Sequence, residues 1–209
     1  MIKHVSSCAD PSPKEPTRLL YYAPFTRGGM ADYSHHQASA LSHAGVEVTL
    51  LCPAHEEGPW HRISDAERPY QLRPILQGWR VRPQPALIRK LLLARDLLLD
   101  AGRLAKVVEK EAFPRVLFAA YNELFAPIWS KRLHRLAQEK GTIFGAVIHD
   151  PKRSGGIGPY WWHRRSMAAA YSILREAFVH APIQLDTAAP MPQLRTGHLP
   201  SDSFSSTVK

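Results

Sequence analysis

His149-Asp150, where the apolar run Thr142 to Ile148 gives out, is the residue pair best suited to chemistry. A histidine at a strand end, inside a basic and glycine-rich rim, can donate a hydrogen bond to a sugar hydroxyl or a phosphate. It can also move a proton if its pKa is suitably tuned. Asp150 can orient that imidazole or act as a base. A plainer reading competes with this one, in which Asp150 is a turn former before Pro151 and His149 is an ordinary loop-edge residue. Lys152 and Arg153 follow directly, and they read either as anion contacts or as solvated surface.

Gly28-Gly29 is the second feature with a chemical use. Two adjacent residues without Cβ atoms let the chain turn sharply and let backbone N–H groups approach a ligand at the partly positive end of a helix. The same pair also serves a tight strand-to-helix turn that binds nothing. Asp32, in the first helical turn, already complements the helix dipole and favours this second reading. The pattern is not GxGxxG and no GK[ST] follows, so neither a dinucleotide fingerprint nor a P-loop is present.

Other chemistry-bearing clusters are weaker. Adjacent helical residues point about 100° apart, so His35-His36 cannot easily chelate one metal, and no metal site is expected. Trp161-Trp162-His163-Arg164-Arg165 suits a sugar-stacking or membrane-edge patch, with at least one of the tryptophans expected in core packing. GxSxG, Cys/His, EF-hand, zinc and RNA-binding signatures are all missing.

These residues need elements to hold them. Residues 18 to 23 form an apolar run without alternation, as a parallel strand covered on both faces would. A helix follows with Met30, Tyr33, Gln37 or Ala38, Leu41 and Ala44 at helical spacing, ended by Gly45 in the C′ position, and a second strand runs from Val46 to Cys52. Gln71 to Leu76 is a candidate third strand. Between Pro85 and Phe113 lies a long helix with Leu87, Leu91, Ala94, Leu98, Ala101, Ala105 and Val108 on one face. Its wide apolar stripe packs on a sheet or, with Arg89, Lys90, Arg95 and Arg103, touches an anionic bilayer. Arg115 to Tyr121 is the next strand. Asn122 is placed to cap a helix from about Glu123 to Lys140, and Gly141 to end it. After the strand ending in His149, a helix is expected from about Tyr160 to Glu176 and a short strand from Phe178 to Ala181.

This alternation predicts an α/β fold, a doubly wound and mostly parallel Rossmann-like sheet with helices on both faces. Ligands of such sheets bind outside the carboxyl ends of the strands, where the loops at Gly28 and His149 both lie. Residues 1–17 form a proline-bearing lead-in, 18–181 the domain, and 182–209 an irregular tail or interdomain linker.

Composition sets outer bounds. With 209 residues, 44% hydrophobic and 22% charged, the chain can bury one substantial core. A formal charge of +9 favours an anionic partner. Cys8 and Cys52, the only two cysteines, suit neither a disulfide framework nor a zinc site, and a reducing cytosol fits best. Residues 1–18 lack the apolar core of a signal peptide, so none is expected there, and no later run reaches the roughly 18 apolar residues of a membrane span.

The order of strand, FTRGGMADYSHHQASALSHAGVEVTLLCP, long helix, strand, helix and AVIHDPKRSGG resembles the N-terminal domain of GT-B fold glycosyltransferases, especially the retaining, family-4-like enzymes. The likeness spans roughly residues 18 to 181. It implies transfer of a sugar from a nucleotide-sugar donor to an acceptor, with no metal and no cofactor. Gly28 and Gly29 would border the cleft near the donor phosphates and the acceptor, His149 would contact the transferred sugar, and Asp150 would support it on the acceptor side. Lys152 and Arg153 belong to the same substrate-binding rim. In the family a C-terminal donor domain carries most of the nucleotide site, including paired glutamates eight residues apart; nothing in this chain matches it. The expectation is therefore a truncated enzyme, inactive alone, or one completed by a separate polypeptide. The other class of function is a noncatalytic Rossmann-like module docking to a partner protein or to an anionic membrane. A cytoplasmic place is expected, peripheral to the membrane's inner face if bound there, and no nucleic-acid partner. Sugar, nucleotide, acceptor, stereochemical outcome and oligomeric state are not legible.

Overall fold

The computed structural model describes residues 17–25, 27–54, 58–78, 85–121, 123–149, 159–179 and 193–196, without side chains at 86, 87 and 193–196. Strands β1 (Arg18–Tyr22), β2 (Glu47–Pro53), β3 (Gln71–Leu76), β4 (Arg115–Phe118), β5 (Ile143–Ile148), β6 (Leu174–Val179) and β7 (Gln193–Thr196) form one sheet in the order β3-β2-β1-β4-β5-β6-β7. Every neighbouring pair is parallel. Pro74 lies in β3, an edge strand, where a residue without an N–H is tolerated.

Helix α1 (Gly29–His43) covers one face of the sheet, while α2 (Ala86–Glu111), α3 (Ala126–Lys140) and α4 (Tyr160–Tyr171) cover the other. The handedness of crossovers explains this division. The chain moves from β1 to β2 and β3 in one direction, then turns back through β4, β5 and β6, and right-handed connections in opposite directions fall on opposite faces. Strand alternation supplies both cores. Leu20, Tyr22, Leu51 and Leu76 face α2–α4, whereas Leu19, Tyr21, Val48 and Leu50 face α1 and Trp60. Trp60 comes from a 3-10 turn (Pro59–Arg62) and is wholly buried.

Helix α1 ends in a Schellman motif, with Val46 N–H donating to the Leu41 carbonyl, Gly45 N–H to the Ser42 carbonyl, and Gly45 at φ +84°. That is the role expected of Gly45, although Ala44 proves exposed. Other expectations are corrected. The expected start of α3 at Glu123 moves to Ala126, because Phe125 takes a left-handed conformation (φ 55°) and Pro127 suits only the first turn; Asn122 lies outside the described residues. The expected helix 160–176 stops at Tyr171, and the strand expected at 178–181 begins instead at Leu174, since 174–179 is taken into the ladder beside β5. Within 182–209, expected to be irregular, Gln193–Thr196 pairs with β6. Neither Trp161 (63% exposed) nor the half-buried Trp162 packs in the core, because α4 buries Ser166, Met167, Ala170 and Tyr171 instead.

Helix α2 departs from expectation along its length. Ala101, Ala105 and Val108 are buried as its periodicity predicts, but Leu91 is 63% exposed and burial begins only at Asp96 and Leu97. Its 26 residues measure about 39 Å at 1.5 Å per residue. The longest strand, with 7 residues, spans about 23 Å. The helix therefore overhangs the sheet.

Candidate functional site

Gly28 leaves the end of β1 at φ 81° and ψ −178°, a combination that only glycine adopts without strain. Its carbonyl accepts from Ala31 N–H (2.8 Å) and Asp32 N–H (3.2 Å), starting the helix. Gly29 is different. Its φ is ordinary, and a Cβ built there would meet nothing within 4 Å. Neither the backbone nor the packing of the described residues requires a glycine at 29. Its bareness leaves open space over the start of α1, where no side chain caps the helix. Asp32 is exposed in the first turn.

His149 follows β5, and its Nε2–H donates to the Ala119 carbonyl just past β4, at 3.2 Å. That bond selects the tautomer whose Nδ1 carries the lone pair. The imidazole also stands edge-to-face on Tyr33, with ring centroids 5.2 Å apart. Tyr33 lies about one turn into α1, and its hydroxyl accepts from Gln37 Nε2 at 2.5 Å. Gln37 in turn accepts from the buried Tyr21 hydroxyl of β1. Burial pushes the Tyr21 phenol well up; it raises that of Tyr33 too, against the lowering effect of the Gln37 bond. Both stay protonated at neutral pH, and hydrogen bonds run from β1 through Gln37 to Tyr33, whose ring meets the histidine.

The structure thus sets His149 against Tyr33, one turn along the helix that the glycine turn begins, at the end of β5 and beside the point where the strand order reverses between β1 and β4. Such switch points are where doubly wound sheets bind ligands. Asp150, Lys152 and Arg153 lie outside the described residues. From sequence, Tyr33 and Gln37 were expected only on the regularly spaced face of α1 and Ala119 only within the strand 115–121, with no role at the site. The one available signal was the i, i+4 spacing of Tyr33 and Gln37 on α1.

Two neighbouring groups shape the rim. The wholly buried Asp100 of α2 accepts from Gln77 N–H (2.7 Å), Gly78 N–H (2.9 Å) and Arg103 (3.0 Å), pinning the exit of β3 to α2. Burial raises its carboxyl pKa, with those hydrogen bonds pulling the other way. Burial also pushes the Cys52 thiol up to about 12, too high for a thiolate nucleophile at neutral pH. Cys8 lies outside the described residues.

His35, on α1, faces the Tyr70 hydroxyl at 2.7 Å through Nδ1. Burial lowers its pKa below 6.5, His36 and Arg68 push the same way, and Asp32 opposes them. The unfolded chain therefore takes up this proton more readily than the folded one. Stability from neutral His35 is present above 6.5 and is lost as pH falls from there through the folded-state value. Lowering pH from about 7.5 to about 5.5 should reduce the urea midpoint, and His35→Gln should shrink the reduction. An equal drop in the variant would assign the pH response to other groups.

No protein-family model matches the chain, and no curated protein matches it by sequence. Its fold is similar to that of Glycyrrhiza uralensis UGT73P12, solved in complex with glycyrrhetinic acid 3-O-monoglucuronide. That match has a TM-score of 0.53 at 8% identity and covers 79% of this chain and 44% of that one. It is similar also to Arabidopsis thaliana UGT89C1 complexed with UDP-L-rhamnose, with a TM-score of 0.50, 11% identity, and coverage of 80% of this chain and 46% of that one. These neighbours are GT-B glycosyltransferases, and the likeness shows a GT-B-like fold. The chain spans less than half the length of either.

Proposed function

We propose that the chain is the N-terminal, acceptor-side half of a glycosyltransferase that moves a sugar from a nucleotide-sugar donor to an acceptor, with a retaining, family-4-like course. The single observation supporting this reading is the ring contact of Tyr33 with His149, on the helix that begins at bare Gly29 and beside the point where the strand order reverses. The domain runs from residue 18 through 181 and includes the β7 residues 193–196. A C-terminal donor domain, on the same or a separate polypeptide, supplies the rest of the nucleotide site.

In this reading the N–H groups of the first turn of α1, beside Gly28 and Gly29, receive a phosphate oxygen of the donor. Lys152 and Arg153 add positive charge as the nucleotide diphosphate leaves. His149, held by Ala119 and braced by Tyr33, contacts a hydroxyl of the transferred sugar. Asp150 supports the acceptor side.

Radiolabelled nucleotide sugars incubated with the chain, alone and together with a separately expressed GT-B donor domain, should transfer label only in the combined reaction. Gly29→Ala separates site from scaffold. With nothing within 4 Å of the added methyl, the melting temperature should hold, while donor use should fall about tenfold as the methyl enters the phosphate's space. No label transfer from any donor in either reaction would overturn the proposal, and undiminished use by Gly29→Ala would remove the glycine from the site.

A further inference from the structure

We infer that the edge of the molecule made by the first turns of α2, α3 and α4 is a docking surface for an anionic lipid bilayer. Each of these helices follows a strand's C-terminal end and runs back along the same sheet face, α2 beside α3 and α3 beside α4. Their N-termini therefore line one edge. Ile88 (46% exposed), Leu91 (63%), Ile128 (55%), Tyr160 (73%) and Trp161 (63%) all lie there, and they are five of the seven large apolar side chains exposed among the described residues. Elsewhere a soluble surface scatters such residues singly. Here they share one rim, and Trp and Tyr are the side chains most at home at a membrane–water boundary.

Charge indicates which surface this rim meets. The exposed Arg89 and Lys90 sit between Ile88 and Leu91 on the overhang of α2, and exposed Arg164 lies over the Tyr160 ring at 5.9 Å. None of the three helices has an acidic residue in its first turn, although a carboxylate there is the usual complement to the helix dipole and α1 has one in Asp32. Three helix ends without an acidic complement, with exposed Arg89, Lys90 and Arg164 in or next to their first turns, are complementary to anionic headgroups. The overhang of α2 lets its apolar side chains enter the headgroup layer without disturbing the core, at the shallow depth where amphipathic helices lie. No helix among the described residues is long and apolar enough to cross a membrane, so the association is with the surface.

The test is sedimentation of the whole chain with phosphatidylcholine vesicles, with and without phosphatidylglycerol. Binding is expected only with the anionic lipid and should weaken with salt. Arg89→Glu with Lys90→Glu should lower partitioning at least tenfold. Leu91→Glu should do the same. Lys106→Glu with Lys110→Glu makes the same charge change on exposed residues at the far end of α2 and should leave binding intact. All of these side chains are exposed, so circular dichroism should show a native fold. Absence of binding to anionic vesicles overturns the inference, as does equal loss in the near-end and far-end pairs. If vesicles do not bind but Leu91→Glu abolishes self-association in the ultracentrifuge, the rim is an interface between protein copies and the inference fails.

Discussion

Gly78→Ala is expected to destabilise the fold by about 4 kcal/mol, combining left-handed backbone strain with overpacking. For a domain of this size that corresponds to a fall of roughly 10 °C in melting temperature. Gly78 lies at φ +71°, and an added Cβ would stand 2.5 Å from Pro53 Cγ and 3.0 Å from the Pro24 carbonyl oxygen. Neither neighbour can yield. Pro53 ends β2, Pro24 follows β1, and the Gly78 N–H is already committed to the buried Asp100 carboxylate. Gly45→Ala is the control. It shares the left-handed backbone, at φ +84°, but its Cβ would meet nothing within 4 Å, so only about 1 kcal/mol should be lost. Urea unfolding followed by circular dichroism gives both values. Equal losses would show that the packing around Gly78 yields and that strain alone matters.

His149→Ala is expected to lower sugar transfer by about a hundredfold in the combined reaction, while melting changes by only about the 1 kcal/mol of one hydrogen bond. The histidine is half-buried, its bond to Ala119 joins two strand ends, and it belongs to neither hydrophobic core cluster. Tyr33→Leu should reproduce part of the defect by removing the ring that braces the imidazole. The split between KM and kcat separates contact from positioning. Loss of His149 should act on kcat and on sugar discrimination, whereas loss of Tyr33 should be eased by raising the donor concentration. Full turnover by correctly folded His149→Ala would exclude the residue from the reaction.

The central strands were legible because burial on both faces leaves uninterrupted apolar runs, as in β1 and in β2, and because Gly45 has one conformational use at the end of α1. The glycine turn and His149 were legible, and so was the sheet edge that they share. Their meeting at Tyr33 was not, since it depends on how α1 packs across β1 and β4. The boundary between α4 and β6 was hidden for a different reason. Residues 167–177 read MAAAYSILREA, a good helix by propensity, and only pairing beside β5 draws 174–179 into a strand. The exposed start of α2 likewise follows from the mismatch between a long helix and short strands, which hydrophobic periodicity does not report.

The reversal of strand order also sets a sequence of events at the ribosome. β1 can pair with β2 as soon as α1 is made, but its other partner, β4, pairs Arg115 with Leu19 and emerges about a hundred residues later. Until α2 follows, Leu20, Tyr22, Leu51 and Leu76 have α1 behind their sheet and no helix in front of it, and even then α3 and α4, which complete that cover, come only after β4. Non-local pairing of this kind is slow, and bare sheet faces are sticky while it waits. The nascent first half therefore offers an apolar surface to trigger-factor-like holdases, and a ribosome stalled before β4 would release a chain that has its glycine turn but lacks the Ala119 carbonyl that seats the histidine.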